Sequence, residues 1–307
     1  MKIGIRDIVE YIPKNKINNL DSKKKFDLKN KFIRDKIGFL KLSRILKKQT
    51  TINLALKSAK KLINKYPFLK KEADVLILVT QNPHKNIPHN SAIIHNELNL
   101  SEKCSVFDIS LGCSGWVHGL SITKSFMESN NFKNGILITA DPYSKILNYN
   151  DKETSMIFGD ASTSTFLSNK NTKFEIKIFD FGTKSSDWEA LKIDEKKNLY
   201  MNGRKIFNFA FKNVPISIKN ILKKEKTDIK DIDFFVLHQG SKFILNTISK
   251  SLGIKKNKLL FLSSNYGNTV SSSIPIILSR NKFKKTKKII CSGFGVGLSW
   301  ATVLLKS

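Results

Sequence analysis

Three separated residues could share one piece of chemistry: Cys113 in FDISLGCSGWVHGLSI (107–122), His238 in VLHQGS (236–241) and Asn268 in SNYGNTVSSSIP (264–275). Each stands where an apolar, strand-like run gives way to small residues and then to a helical pattern. A cysteine at such a turn meets the positive end of a helix macrodipole and unpaired backbone N–H groups, which favours the thiolate. Gly112, Ser114 and Gly115 leave room for a substrate carbonyl to approach the sulfur. His and Asn at strand ends are natural donors to an oxyanion or enolate. Taken singly, a free cysteine is most often a buried core residue, and a lone histidine a satisfied structural one. Three such turns in one chain point instead to nucleophilic acyl chemistry assisted by neutral donors.

The elements around these turns alternate between strand and helix. DVLILVT (74–80), SVFDI (105–109), GILITA (135–140), DFFVLH (233–238), LLFL (259–262) and KIICS (288–292) read as strands. Most are continuously apolar, as expected of strands covered on both faces. Ile52, Ala55, Leu56, Ala59, Leu62 and Ile63 follow helical spacing. The pattern predicts a layered α/β protein. There is also an internal echo. VFDI leads to the Cys113 turn and a helix, then to GILITA and GDASTSTFLS; LLFLS leads to NYGNTVSSSIPIIL, then to KIICSGFGVGLSWATVLL. Two similar halves would place Cys113 and Asn268 at equivalent positions.

The chain has 307 residues, enough for one large domain or two fused halves, with 40% hydrophobic and 26% charged residues. The N-terminal MKIGIRDIVEYIP scatters charges through its apolar residues, unlike a signal peptide. No apolar run reaches the roughly 18 to 20 residues of a membrane span. Cys104, Cys113 and Cys291 make no CxxC pair, so neither a disulfide framework nor a metal site is expected, and a reducing cytoplasm suits them. Formal charge is +29, and all but five of the 54 basic residues are lysine. Nucleic-acid readers favour arginine forks, and no basic run is interleaved with aromatics, so nucleic acid is not expected. A solvated lysine surface explains the charge; an acidic macromolecular partner is the alternative.

Several motifs, in order and at consistent spacing, resemble the β-ketoacyl-acyl-carrier-protein synthase III enzymes of the thiolase fold. TQNPHKNIPHNSAIIHNELNL (80–100) looks like the segment after the family's "aTs" strand, and FDISLGCSGWVHGLSI like its nucleophile segment. NDKETSMIFGDASTSTFLS (150–168) matches "FGDGAGA", and MNGRKIFNFAFKNVP (201–215) matches "MnGrevFkfA". VLHQGS, YGNTVSSSIP and GFGVGLSW complete the set, and the likeness covers nearly the whole chain.

The resemblance implies two pseudo-duplicated α/β halves in αβαβα layers: residues 1–168 with the nucleophile and 169–307 with the His and Asn. It makes Cys113 the nucleophile and His238 and Asn268 the pair assisting decarboxylation, with oxyanion donors at the Cys113 amide and the Gly295–Val296 stretch. Phe207 and Phe294 are expected near the nucleophile. The implied reaction joins an acyl thioester to malonyl-acyl-carrier protein in fatty acid biosynthesis. No metal or redox cofactor is required; coenzyme A or carrier-protein thioesters are substrates, and a homodimer is implied. A lysine-rich entrance near Arg204, Lys205 and Lys242 would guide the acidic carrier.

Departures from the pattern bear on the donor. KFIRDKIGFLKLSR (31–44) is similar to the coenzyme A segment "WIvtRTGIreR", but has Phe32 for tryptophan and Lys36 for arginine, with Leu40 and Leu42 where basic residues are common. Lys152 replaces another arginine, and Val296 a glycine. Lysine keeps charge but loses the fork, and phenylalanine loses stacking area. An acyl-carrier-protein-borne primer is therefore an alternative to acyl-coenzyme A. The region around Ile87 does not size the acyl group. Two other enzyme readings stay open: a synthase III-like acyltransferase of a specialised pathway, and a thiolase, because Cys291-Ser-Gly293-Phe-Gly295 fits C-x-G-x-G.

Overall fold

The computed structural model describes residues 2–283 and 287–307. Its main sheet contains β1 (Gly4–Tyr11), β2 (Val75–Val79), β3 (Ser105–Ile109), β4 (Asn134–Ala140), β5 (Ser162–Ser168), β6 (Phe174–Thr183), β7 (Phe234–Leu237), β8 (Lys288–Gly295) and β9 (Ser299–Lys306). They lie in the order β7-β8-β9-β6-β1-β5-β4-β2-β3.

The order is a duplication about the β6–β1 seam. Going outward from β1, the pairs β1–β5 and β5–β4 are antiparallel, then β4–β2 and β2–β3 are parallel. Going outward from β6, β6–β9 and β9–β8 are antiparallel, then β8–β7 is parallel. Within the sheet, the described residues join the halves through a short pairing of Gly4 and Ile5 with Glu175 and Phe174. The expected strand at 259–262 occupies the place equivalent to β3 but does not form. A single parallel bridge links Leu259 to Phe235. The run is half-exposed and hemmed by 3-10 turns at Lys256–Lys258 and Ser263–Asn265. Without cover on both faces, its apolar side chains do not hold a paired strand.

Among the described residues, six helices of eight or more residues complete the layers: α1 (Thr51–Lys65), α2 (Asn90–Leu98), α3 (Gly115–Ser129), α4 (Gly203–Lys224), α5 (Lys242–Ser251) and α6 (Ser273–Arg280). α3 packs on β2 and β4 of one half and on β8 and β9 of the other; α6 touches β1 and β5 as well as β7 and β8. These two helices are the shared central layer. α1 and α2 cover the outside of the first half, α4 and α5 the outside of the second. Glycine lets α3 seat so deeply: a Cβ at Gly115 would lie 2.5 Å from Val79 Cγ1, and one at Gly119 2.8 Å from Leu137 Cδ1.

β5 is polar in sequence yet wholly buried. Its hydroxyls are matched one by one: Ser162 Oγ donates to the Leu54 carbonyl at 2.7 Å, Thr163 and Thr139 hydroxyls pair at 2.7 Å, and Trp116 Nε1 donates to Thr165 Oγ1 at 3.0 Å. Buried polar groups are tolerated when they are paired in this way. No helix among the described residues is long and apolar enough to cross a membrane.

Candidate active site

Cys113 lies in the turn between β3 and α3, where the Gly115 N–H donates to the Gly112 carbonyl at 2.8 Å to start the helix. The C-terminal end of β8 presses on this turn. A Cβ on Gly293 would stand 2.6 Å from the Cys113 carbonyl oxygen, and one on Gly295 2.9 Å from Sγ. The backbone N–H groups of Cys113 and Val296 face the thiol and favour its anion. They do not prevail. Burial, and then the nearby Asp141 carboxylate, push the Cys113 thiol far above its ordinary range. The expectation of a lowered value is therefore corrected: the helix end is present, but desolvation of the sulfur outweighs it.

His238 follows β7, and its backbone N–H donates to the Ser292 carbonyl at 2.8 Å. Its Nδ1 pairs with Ser273 Oγ at 2.8 Å, and Nε2 lies 3.3 Å from Asn268 Nδ2. The Phe294 ring stands perpendicular to the imidazole at 5.4 Å. Burial drives the His238 value down to about 3, opposed by the Val270 backbone, so the ring is neutral near pH 7. Asn268 is oriented by the Val270 N–H, which donates to its Oδ1 at 2.9 Å. Val270 reaches that position with φ of 53°, a left-handed conformation rare for a β-branched residue.

Cys113, His238 and Asn268 line one cavity of about 360 Å³, together with Phe158, Leu191, Met201, Phe207, Ile244 and Phe294. Its walls are largely apolar, and Arg204 is the cation at its edge. A buried thiol, a neutral imidazole and a carboxamide in an apolar pocket can form a thioester and donate to a developing enolate oxygen.

Comparison with known proteins agrees with this arrangement. The family described as 3-oxoacyl-[acyl-carrier-protein (ACP)] synthase III matches residues 107–185, and its C-terminal counterpart residues 222–307. A protein of Clostridium perfringens named beta-ketoacyl-[acyl-carrier-protein] synthase III is 32% identical, with 96% of each chain covered. One of the same name from Lactococcus lactis is 30% identical over 98% of each chain. The solved structure of 3-oxoacyl-[acyl-carrier-protein] synthase III from Aquifex aeolicus superposes with a TM-score of 0.92 at 28% identity, covering 99% of this chain and 100% of that one.

This chain belongs to the β-ketoacyl-acyl-carrier-protein synthase III family.

Val296 keeps its N–H on the Cys113 side, and its Cγ1 fills the space a side chain on Gly112 would need. The unusual backbone angle falls on Gly297, with φ of +127°. Phe207 is stacked between Phe211 at 6.0 Å and Phe243 at 5.3 Å, and Lys36 Nζ caps Phe243 at 4.1 Å. Lys36 therefore sits behind Phe243 without lining the cavity, and Lys242, beside Phe243 in sequence, donates from Nζ to the Arg34 carbonyl at 3.2 Å. Phe32 and Lys152 do not line the cavity. Phe32 is 42% exposed. Lys152 opens the short helix Lys152–Ser155, which is tied to α4 by Gly203 N–H donating to Glu153 Oε2 at 3.0 Å. Cys291 sits in the core with Val79 and Trp116, away from the cavity, so it supplies no second catalytic thiol.

Sequence reasoning missed Ser273, Val270, Leu191 and Asp141. Ser273 stands five residues beyond Asn268 in a run of serines, a pattern that could have marked a partner for the histidine. Among the described residues, no cluster of His, Cys, Asp and Glu could hold a metal ion.

Proposed function

We propose that this synthase III carries out a decarboxylative Claisen condensation of an acyl thioester with malonyl-acyl-carrier protein, in fatty acid biosynthesis, with Cys113, His238 and Asn268 as its catalytic residues. The observation that carries the reading is that all three side chains open into the same apolar cavity.

In the first half-reaction the Cys113 sulfur bonds to the thioester carbonyl carbon. The Cys113 and Val296 N–H groups, which face the sulfur, are positioned to take the oxyanion, with Gly295 holding the strand close enough. The donor thiol leaves with the proton that Cys113 gives up, and an acyl-enzyme remains. In the second, the malonyl thioester carbonyl lies against His238 Nε2 and Asn268 Nδ2. Loss of carbon dioxide places charge on that oxygen, where preorganised donors in an apolar site act most strongly. The enolate carbon then bonds to the acyl carbonyl carbon, the bond to sulfur breaks, and Cys113 leaves as a thiolate that takes a proton from solvent as the 3-oxoacyl product departs. The protein's own groups suffice for these steps, with thioesters of coenzyme A or carrier protein as substrates.

The entrance supports an acidic carrier protein as partner, because Arg204, Lys36 and Lys242 gather at the mouth or beside it. Phe207 forms its wall. With Phe32 in place of tryptophan, and Lys36 and Lys152 in place of arginine, less stacking area and no guanidinium fork are offered to coenzyme A, which favours carrier-protein delivery of the primer. A homodimer in the cytoplasm fits the same reading: β3 ends the sheet with an unpaired edge, and all five of its residues are half-exposed. The test is intact-protein mass spectrometry after incubation with acyl-coenzyme A and acyl-carrier-protein donors. An acyl adduct lost in Cys113→Ala supports the reaction and names the donor; decarboxylation unchanged in His238→Ala contradicts the role given to the pair.

A further inference from the structure

Asp141, just past the end of β4, is fully buried and belongs to no ion pair among the described residues. Its partners are all neutral. Oδ1 accepts from the Gln81 N–H at 2.8 Å and from Thr80 Oγ1 at 3.3 Å, and Oδ2 accepts from Ser271 Oγ. None of these partners lines the cavity itself; they stand behind two residues that do, Cys113 and Asn268. The Gln81 side chain backs the nucleophile turn, since any side chain at Gly112 would overlap its Oε1, and Tyr143 Oη donates to that same oxygen at 3.2 Å. Ser271 belongs to the turn in which the left-handed Val270 holds the Asn268 carboxamide. Ser272 strengthens this link, its hydroxyl pairing with Thr139 at 2.7 Å.

We propose that Asp141 is a positioning residue of the condensation: its carboxylate ties the Gln81 segment behind Cys113 to the Ser271 turn beyond Asn268, and so fixes the nucleophile relative to the decarboxylation donors. The proposal rests on the reaction assigned above and adds a residue to it. A carbon–carbon bond forms between a group on Cys113 and one held at Asn268, so a loose seam between the two turns is penalised in that step more than in substrate binding. A buried carboxylate with neutral donors is a demanding choice for a merely structural tie, which a serine or asparagine could make without desolvating a charge.

The charge also acts on its neighbours. Burial raises the Asp141 carboxyl to about 6, with Ser271, Gln81 and Thr80 opposing, so it is largely ionised above neutral pH. The titratable groups that feel it are Cys113, on the α3 side, and Tyr143, beside Gln81; burial raises both, and the Asp141 charge raises them further. The Thr80–Gln81 and Ser271 segments present only neutral groups. Burial first, and then this charge, keep the resting thiol protonated.

The experiment compares wild type with Asp141→Asn and Ser271→Ala. Iodoacetamide labelling of the Cys113 peptide is followed against pH by mass spectrometry, and condensation kcat and donor KM are measured separately. Asp141→Asn is expected to label Cys113 faster than wild type at pH 8, because it removes one of the two influences that raise the thiol. Its condensation kcat is expected to fall about tenfold or more, with donor KM within about twofold, the pattern of a misplaced reacting group. Ser271→Ala keeps the charge and removes the hydroxyl half of the tie, leaving the Ser271 N–H on the carboxylate, so it lowers kcat while its labelling profile stays near wild type. If Asp141→Asn does not fold, Ser271→Ala decides. Labelling and kcat both unchanged in Asp141→Asn, or kcat unchanged in Ser271→Ala, overturns the proposal. A wild-type protein that never acylates Cys113 contradicts the assigned reaction instead, and leaves the labelling comparison readable.

Discussion

Asn268 Nδ2 and His238 Nε2 lie 3.3 Å apart, and the far end of each side chain is already engaged, Oδ1 by the Val270 N–H and Nδ1 by Ser273 Oγ. Two nitrogen donors thus face the cavity from fixed anchors. Without substrate the amide donates to Nε2, and Nδ1–H donates to Ser273. Because the serine hydroxyl can also donate, the imidazole can carry its proton on Nε2 when an oxygen takes the Asn268 N–H. On a preformed acyl-enzyme, His238→Ala or Asn268→Ala should slow malonyl decarboxylation roughly 10²- to 10³-fold, as for loss of one oxyanion donor. Release of labelled carbon dioxide measures it.

Ser273 should matter less, through the ring it orients. Ser273→Ala removes one hydrogen bond of about 1 kcal/mol, which corresponds to roughly a fivefold slower decarboxylation. Acylation of Cys113 should be unchanged, since Ser273 bonds to the histidine and not to the thiol. Stopped-flow acylation alongside carbon dioxide release separates the two steps.

The histidine should stay out of ordinary pH titration. Its value near 3 lies far below the usual imidazole range, because burial disfavours the cation. Between pH 5 and 8 the ring is therefore neutral in the folded protein, and protonation becomes favourable only well below that interval. Nitrogen-15 imidazole signals assigned by His238→Ala should not shift through this range. An inflection near 6.5 would mean that the ring is hydrated and ionises freely.

Gly295 sets the distance between β8 and the nucleophile. An added methyl at this position would meet Sγ at 2.9 Å and Cβ of Cys113 at 2.8 Å, closer than such atoms approach. Gly295→Ala should slow Cys113 acylation about a hundredfold, the scale of a 1 Å misplacement. Circular dichroism should still report a folded protein, because the clash is confined to the cavity wall.

The lysine-rich surface makes a separable claim. If Lys36, Lys242 and Arg204 attract an acidic carrier, kcat/KM for a carrier-protein substrate should fall steeply with ionic strength, while turnover of a short pantetheine thioester stays constant. Equal salt dependence for both substrates would return the charge of +29 to bulk solvation.

Much of the fold was legible because its central strands are covered on both faces and read as unbroken apolar runs, as at Val75–Val79 and Asn134–Ala140. The run at 259–262 misled for the same reason: its residues are as apolar as those of a buried strand, and only tertiary context leaves them half-exposed with one bridge. The positions of Cys113, His238 and Asn268 could be read from small residues at strand ends. The direction of the Cys113 shift could not. It depends on β8 closing over the sulfur and on Asp141 arriving from β4, residues distant in sequence that only the packing brings together. Ser273 and Asp141 escaped because serine and aspartate near strand ends and turns are ordinary features, and their partners are set by the fold.

The most direct test of the shared cavity is a two-step mass measurement on one sample. Wild-type protein given an acyl thioester should gain one acyl group on the Cys113 peptide, and then lose it as a 3-oxoacyl product when malonyl-acyl-carrier protein is added. His238→Ala and Asn268→Ala should hold the acyl group through the second step, and Cys113→Ala should never gain it. An adduct that forms in Cys113→Ala, or one that both donor variants discharge at the wild-type rate, would contradict a cavity in which these three side chains act together.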